Sequence, residues 1–395
     1  MKIAIWWQQE SWGGVDTHLA TLLGSWPEPD EFTIFHNTGN SGFARIAAAI
    51  AGRRVRSVTF PDWQHGDASL VVRAVHHVML PLRFLSAVLS AQRLLSAHGP
   101  FDAFIADNGA YPGAWTCLAA LAASHRIGIA KRMLLVHHAA STYGLGRRFF
   151  EQFIDRGVQA WATDLVAVSR ATRDTLIRLR FFNTERNPVR VVHNGIRMSG
   201  DVAQDPDMRR SWGIGPQDFV VGMIGRVQRY KGHEDTLLAM AELTRELRDR
   251  LHLVVVGSGT ESEITRLRRI AERLGLADRL HFTGYLSNDP VVLARQFDVL
   301  AMVTKDFEGF GLAVAEAMVA GTPVLASAVG GITEFVTPET AMLVPPESPE
   351  EIARALAAIM ADPAAAAIRV QNAKVQIANY SGEIMSRRFH RLLSL

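Results

Sequence analysis

The stretch 307-FEGFGLAVAEAMVAGTPVLASAVGG-331 is the one from which the fold of this chain reads outward. Ahead of it stands a short apolar run, Val299-Leu300-Ala301-Met302-Val303, aliphatic and bounded by polar residues, which reads as a buried strand. The chain then turns through Glu308-Gly309-Phe310-Gly311, and Leu312 to Ala320 follows as a helix that Gly321 ends. A strand, a glycine-rich loop and a helix start form an anion site, because the first free amides of the helix and its positive dipole end face the loop. Glu308 in the loop and Glu316, eight residues on, flank that site. Carboxylates repel a phosphate, so their role lies elsewhere. An ionised carboxylate accepts hydrogen bonds from two hydroxyls at once, which suits a sugar.

The rest of the chain is long enough for more than one such unit. Its 395 residues exceed one ordinary core and suit two domains of about 200 residues each. Hydrophobic residues make up 48% and charged ones 21%, the balance of a soluble globular protein. Cys117 is the sole cysteine, which excludes an intramolecular disulfide and fits a reducing compartment, the cytoplasm. The opening MKIAIWWQQ has too short an apolar run for a signal peptide, and no stretch reaches 18 apolar residues without a charge, so no membrane span is expected. The net charge of +3 is uneven: residues 1–200 hold 21 Lys and Arg against 14 Asp and Glu, and the remainder 21 against 25. A basic front half suits peripheral contact with an anionic membrane or an anionic acceptor, and it is equally the ordinary look of an Arg-rich chain.

Strand and helix signals alternate throughout, which predicts parallel, doubly wound α/β architecture. Residues 2–6 read as the opening strand, Gly13-Gly14 as a turn, and Thr17 to Leu23 as the first helix. The segment RAVHHVMLPLRFLSAVLSAQRLLS is apolar at helical spacing with Arg73, Arg83 and Arg93 recurring, and Pro81 is expected to divide it into two helices. It suits either a helix packed on the sheet or one lying on a membrane. Strands then follow at 103–106, 132–136, 164–168 and 189–192, with His137-His138 and Asn194-Gly195 closing two of them. Residues 198–211 are polar and turn-rich and mark the domain boundary. Beyond it, strands are predicted at 220–224, 251–256, 280–282, 299–303 and 324–326, and a helix over 236–247.

Three further segments carry candidate chemistry. Gly225-Arg226-Val227-Gln228-Arg229-Tyr230-Lys231-Gly232 follows a strand and precedes a helix, and two cations five residues apart in such a loop can grip a diphosphate from two sides. A Walker A loop would need Ser or Thr directly after the Lys. Gly257-Ser258-Gly259 imitates a dinucleotide fingerprint, with Ser262 where its third glycine would stand. No set of residues at zinc-ligand spacing accompanies the histidine doublet.

Together these segments resemble the E-x7-E glycosyltransferases of the GT-B fold, the retaining family 4 within the group 1 glycosyl transferases. Gly13, Gly14 and His18 match the family's GG-x-x-x-H pattern; Gly225, Arg226, Lys231 and Gly232 match G-R-x-x-x-x-K-G; Gly330, Gly331 and Glu334 match G-G-x-x-E. Asn194-Gly195-Ile196 matches its N-G-[VI]-D turn except that Arg197 replaces the acid. The resemblance implies two Rossmann-like domains facing a cleft: 1–198 binding the acceptor, 199–378 binding the donor, and 379–395 a helix returning to the first domain. It implies transfer of a sugar from a nucleotide diphosphate donor, a UDP-sugar, to a hydroxyl of a saccharide or lipid-linked saccharide, with retention, in cell-envelope polysaccharide or glycoconjugate synthesis. Glu316 would hold the ribose and Glu308 the transferred sugar. Arg226, Lys231 and the Gly311-Leu312 amides, with Gly309 and Phe310 completing the loop, would stabilise the leaving diphosphate. Gly13, Gly14, Gly257 and Gly259 would line the donor, and a strand-end histidine would contact its sugar; His138, which starts the loop, takes that place ahead of His137. Cations in this role make a metal unnecessary, so no metal, no further cofactor and no nucleic acid partner are expected. Competing readings are a same-fold epimerase or phosphorylase, and a non-catalytic nucleotide-sugar-binding subunit.

Overall fold

The computed structural model describes residues 1–9, 12–40, 42–61, 79–198 and 207–394. They form two compact units, one of 1–195 with 382–395 and the other of 196–381. The divisions lie three residues from the predicted 198/199 and 378/379 junctions; of the boundary segment predicted at 198–211, residues 199–206 lie outside the described residues, as does Arg73.

The first unit holds a seven-stranded parallel sheet: β1 (Lys2–Trp7), β2 (Glu31–Asn37), β3 (Val55–Phe60), β4 (Ala103–Asn108), β5 (Lys131–Val136), β6 (Asp164–Ala167) and β7 (Val189–Val191), in the order β3-β2-β1-β4-β5-β6-β7. Its central strands are buried on both faces, as a parallel sheet covered by crossover helices requires; Ile3 to Trp7 and all of β4 are buried. The first helix spans Gly14–Gly24, three residues longer at its start than predicted, so Gly14 is helical and only Gly13 stands outside, in extended backbone. Pro81 sits in the first turn of the helix Leu80–His98, where a missing N–H costs no helical bond, and the part of the predicted segment ahead of residue 79, which it was expected to divide off, lies outside the described residues. The last helix, Gly382–Ser394, lies on the first one, with Ser386 Oγ donating to the Leu22 carbonyl at 2.9 Å.

The second unit repeats the design with six parallel strands: β8 (Phe219–Ile224), β9 (Leu251–Val256), β10 (Leu280–Gly284), β11 (Val299–Met302), β12 (Val324–Ser327) and β13 (Met342–Val344), in the order β10-β9-β8-β11-β12-β13. The order reverses at β8, so loops leaving β8 and β11 on either side of the switch open on one crevice, the place where α/β sheets bind ligands. The helix predicted over 236–247 runs instead from His233 to Glu242, and a separate short turn follows at Arg245–Arg248. Its earlier start brings its N-terminus directly against the Arg226–Lys231 loop.

Candidate active site

In the second unit, the loop after β8 and the loop after β11 meet. Lys231 ends a 3-10 turn, Arg229–Lys231, and Gly232 follows at φ 78° with its Cα against β11: a Cβ there would lie 2.1 Å from the Val303 carbonyl oxygen. That contact delivers the Lys231 side chain to the β11 loop, where Nζ donates to Glu308 Oε2 at 2.6 Å. Arg226, earlier in the same loop, is exposed. Next in the β11 loop, Lys305 pairs with the buried Asp235 at 2.7 Å and so fastens the loop to the helix after Gly232.

Glycines fix the rest of the cradle. Gly311 caps the Leu312–Ala320 helix at φ 98°, a conformation that side chains strain to adopt. Gly330 and Gly331 pack on the Glu308–Phe310 backbone so closely that added Cβ atoms would come within 2.2 Å of the Glu308 and Gly309 carbonyl oxygens. Gly331 N–H also donates to the Glu308 carbonyl at 2.8 Å. The Phe310 side chain faces inward, stacked on Phe335 at 4.6 Å, so this residue contributes backbone to the site and its ring to the core. Leu312 opens the helix whose first amides face the loop.

Gly257 and Gly259 have a structural duty that the fingerprint reading did not anticipate. A Cβ on Gly257 would meet the Gly225 carbonyl oxygen at 1.9 Å, and one on Gly259 would meet Val227 Cβ at 2.5 Å. Val227 N–H donates to Ser258 O at 2.8 Å, and a parallel bridge joins Val227 to Gly259. The loops after β8 and β9 are thereby zipped together.

Glu316 lies in the second turn of the Leu312–Ala320 helix and is 7% exposed. Burial, reinforced by nearby Asp289, pushes its carboxyl up to about 8. At neutral pH it is therefore mostly protonated, which corrects the ionised acceptor predicted from sequence: a neutral carboxyl donates one hydrogen bond and accepts another.

In the first unit, buried polar groups collect where β1, β4, β5 and β7 end. His137 Nε2 is hydrogen-bonded to Asp107 Oδ1 at 2.7 Å, and its ring meets that of His18 edge-on at 4.6 Å. His18 Nδ1 bonds Asn194 Oδ1 at 2.8 Å, joining two motifs 176 residues apart. Burial pushes His18 well below the ordinary imidazole range, so it is neutral, and its Nε2 is buried without a hydrogen-bond partner among the described residues, as is Asp107 Oδ2. Gly13 N–H donates to Asp16 Oδ2 at 2.5 Å, and burial raises Asp16 to about 7. His138 is half-buried, whereas its neighbour His137 is buried. Asp16 and Asp107 escaped the sequence reading because neither belongs to a recognisable spacing.

Residues 204–376 match the family described as glycosyl transferases group 1. The likeness is to the group 1 glycosyltransferases, and it lies within the second unit. Curated relatives include the D-inositol 3-phosphate glycosyltransferase of Rhodococcus opacus, 32% identical over 59% of this chain and 53% of its own length. Another is an uncharacterised glycosyltransferase of Methanocaldococcus jannaschii, 27% identical over 54% of this chain and 55% of its own. The chain thus spans about half the length of the curated relatives it matches. HepE of Anabaena, solved with UDP, is similar over 100% of both chains, with a TM-score of 0.76 and 20% identity; its UDP-glucose complex gives 0.74 and 21%, over 100% of this chain and 99% of that one. At that identity the likeness shows the fold, GT-B, and it agrees with the two parallel-sheet α/β units of seven and six strands.

Proposed function

We propose that this protein transfers a hexosyl group from a UDP-sugar to an acceptor hydroxyl with retention of configuration, in the synthesis of a cell-envelope polysaccharide or glycoconjugate. The observation that carries this is the Lys231–Glu308 pair at the mouth of a glycine-capped helix. A cation, free helix amides and a carboxylate stand within one loop contact, which serves a phosphate on one side and sugar hydroxyls on the other. The UDP and UDP-glucose held by Anabaena HepE, and the glycosyltransferase names of the relatives, support the donor class.

In this reading Glu316 holds the ribose hydroxyls, giving one hydrogen bond and receiving one. Glu308 binds hydroxyls of the transferred sugar and offsets the positive charge that builds on its ring. Lys231, Arg226 and the Gly311-Leu312 amides receive the charge of the departing diphosphate. A charge-assisted hydrogen bond is worth about 1.5–3 kcal/mol, so the two cations supply about 3–6 kcal/mol at the leaving group. The bond from the anomeric carbon to phosphate breaks, the bond to the acceptor oxygen forms, and the acceptor proton leaves with the diphosphate. The first unit recognises a saccharide or lipid-linked acceptor, and His138 contributes from it. The protein works in the cytoplasm, in contact with an anionic membrane.

The test is acceptor-dependent release of UDP from UDP-sugars over a panel of envelope saccharides, with product anomericity read by NMR. Release of UDP only on adding an acceptor, with the donor's anomeric configuration kept in the product, supports the reading. An isomerised donor without transfer would replace it with an epimerase, and an inverted product would remove retention.

A further inference from the structure

We propose that the outer face of the first unit built by helices Leu80–His98 and Arg148–Trp161 docks laterally onto an anionic lipid bilayer. The two helices are joined from beneath: Phe84 of the first meets Phe150 and Trp161 of the second, at ring distances of 6.0 and 6.4 Å. Leu80, Phe84, Val88, Ala91 and Leu95 form the buried stripe of the first helix. On its opposite side Leu82, Leu85 and Leu89 are 60%, 50% and 41% exposed, spaced i, i+3, i+7, so they share one face, and exposed Arg93 continues that line. The second helix presents the same pattern. Phe149 and Phe153, one turn apart, are 88% and 65% exposed, Arg156 continues their line, and Leu145 just ahead is fully exposed.

Isolated exposed apolar residues need no explanation, but a concentration does. Of the twelve large hydrophobics exposed among the described residues, seven lie on these two helices or within three residues of their starts. The charge of the face selects what covers it. Helix 80–98 contains no carboxylate, and the two on helix 148–161, Glu151 and Asp155, are buried against the fully buried Arg180 at 2.8 and 3.0 Å. What remains exposed on the two helices is apolar, a serine hydroxyl (Ser86, Ser90, Ser96) or one of the guanidinium groups of Arg93, Arg148 and Arg156, with no exposed carboxylate. A face with this composition suits the headgroup and acyl boundary of an anionic leaflet: the leucines and phenylalanines enter, and the arginines stay at phosphate level. Among the described residues no helix is long and apolar enough to cross a membrane, so the contact is along the surface. The inference does not depend on the donor-site reading, since none of these residues belongs to that site.

The experiment is co-sedimentation of the full chain with vesicles of phosphatidylcholine alone or with about 30 mol% phosphatidylglycerol, at low and high salt. The wild type should pellet with anionic vesicles far more than with neutral ones, and less as salt rises. Phe149→Ser with Phe153→Ser should lower vesicle affinity at least about tenfold while leaving Tm unchanged, because both side chains are already in solvent. Arg148→Glu with Arg156→Glu tests the charge independently and should cost roughly fivefold per arginine. Absence of vesicle binding, or binding that neither pair of substitutions alters, overturns the proposal. So does a concentration-dependent dimer that the phenylalanine substitutions abolish, since a second copy would then be the occupant.

Discussion

Lys231 Nζ lies 2.6 Å from Glu308 Oε2, and the two side chains are 15% and 14% exposed. Residues 77 positions apart, one expected to serve a phosphate and the other a sugar, are thus held as one unit. An ammonium carries three N–H donors, so a single carboxylate leaves two for a diphosphate oxygen. The pair fixes where the ammonium sits before substrate arrives, which is the preorganisation that leaving-group stabilisation needs.

Removing that cation should act on turnover. Lys231→Ala is expected to lower kcat at least about a hundredfold, with a smaller change in KM, because the lost interaction strengthens as charge leaves the sugar. Steady-state kinetics decide the matter: a change confined to KM would mean that the ammonium holds only the ground state. Glu308→Ala should reduce turnover and spare binding of free nucleotide.

Glu316 should leave a signature in the pH dependence of stability. Its folded carboxyl keeps a proton up to about 8, whereas an unfolded glutamate releases one near 4.5, so folding gains from this group below 4.5 and loses that gain as pH rises through 8. Glu316→Gln removes the titration and keeps the shape. Its Tm should match wild type within about a degree at pH 5 and exceed it by several degrees at pH 9. Nucleotide binding at neutral pH should survive in Glu316→Gln and weaken in Glu316→Ala; equal loss in both would show that an ionised carboxylate is required.

The glycine brace beneath Glu308 is testable with an internal control. Gly330 and Gly275 both have positive φ, 54° and 68°, but a Cβ on Gly330 would strike the Glu308 carbonyl and one on Gly275 meets nothing within 4 Å. Gly275→Ala should cost about 1 kcal/mol of backbone strain and leave kcat alone. Gly330→Ala should cost more and lower kcat at least about tenfold, by moving the loop that carries Glu308. Chemical denaturation and kinetics on the two variants separate strain from displacement.

The histidine doublet divides by burial. His137→Ala strands Asp107 in a buried site and should lower stability by about 1–3 kcal/mol. His138→Ala should leave Tm near wild type and lower kcat. A kcat loss confined to His137→Ala would move the catalytic role to that residue.

Chelation supplies the last check. Activity should persist in excess EDTA, because fixed cations and amides carry the leaving-group charge in the proposed mechanism. Loss on chelation, restored by a divalent ion, would overturn that part of it.

The β11 loop and its helix were legible because local chemistry settles them: a short aliphatic run makes the strand, and Gly311 and Gly321, at φ 98° and 78°, punctuate the helix. By contrast β2 and β3 went unread. In β2 the polar Thr33, His36 and Asn37 are buried, with Asn37 Oδ1 accepting from Gln9 N–H at 3.0 Å, so tertiary partners override an unpromising composition. On β3, the edge strand, exposed Arg56, Ser57 and Thr59 dilute the apolar signal. The site residues were legible as motifs, but their pairings were not. Nothing local joins Lys231 to Glu308, His137 to Asp107, or His18 to Asn194, since each partner comes from a different strand end. The protonation of Glu316 was likewise out of reach, because it follows from burial and not from residue type.

The zipper between the loops after β8 and β9 bears on how this protein could be re-engineered. With Gly225 O seated against Gly257 and Val227 bridged to Gly259, neither loop can be exchanged for a homologous one by itself without a steric collision or a lost backbone bond. Residues 225–232 and 257–260 are therefore one heritable cassette, and a chimera meant to alter donor preference should transplant both halves or neither.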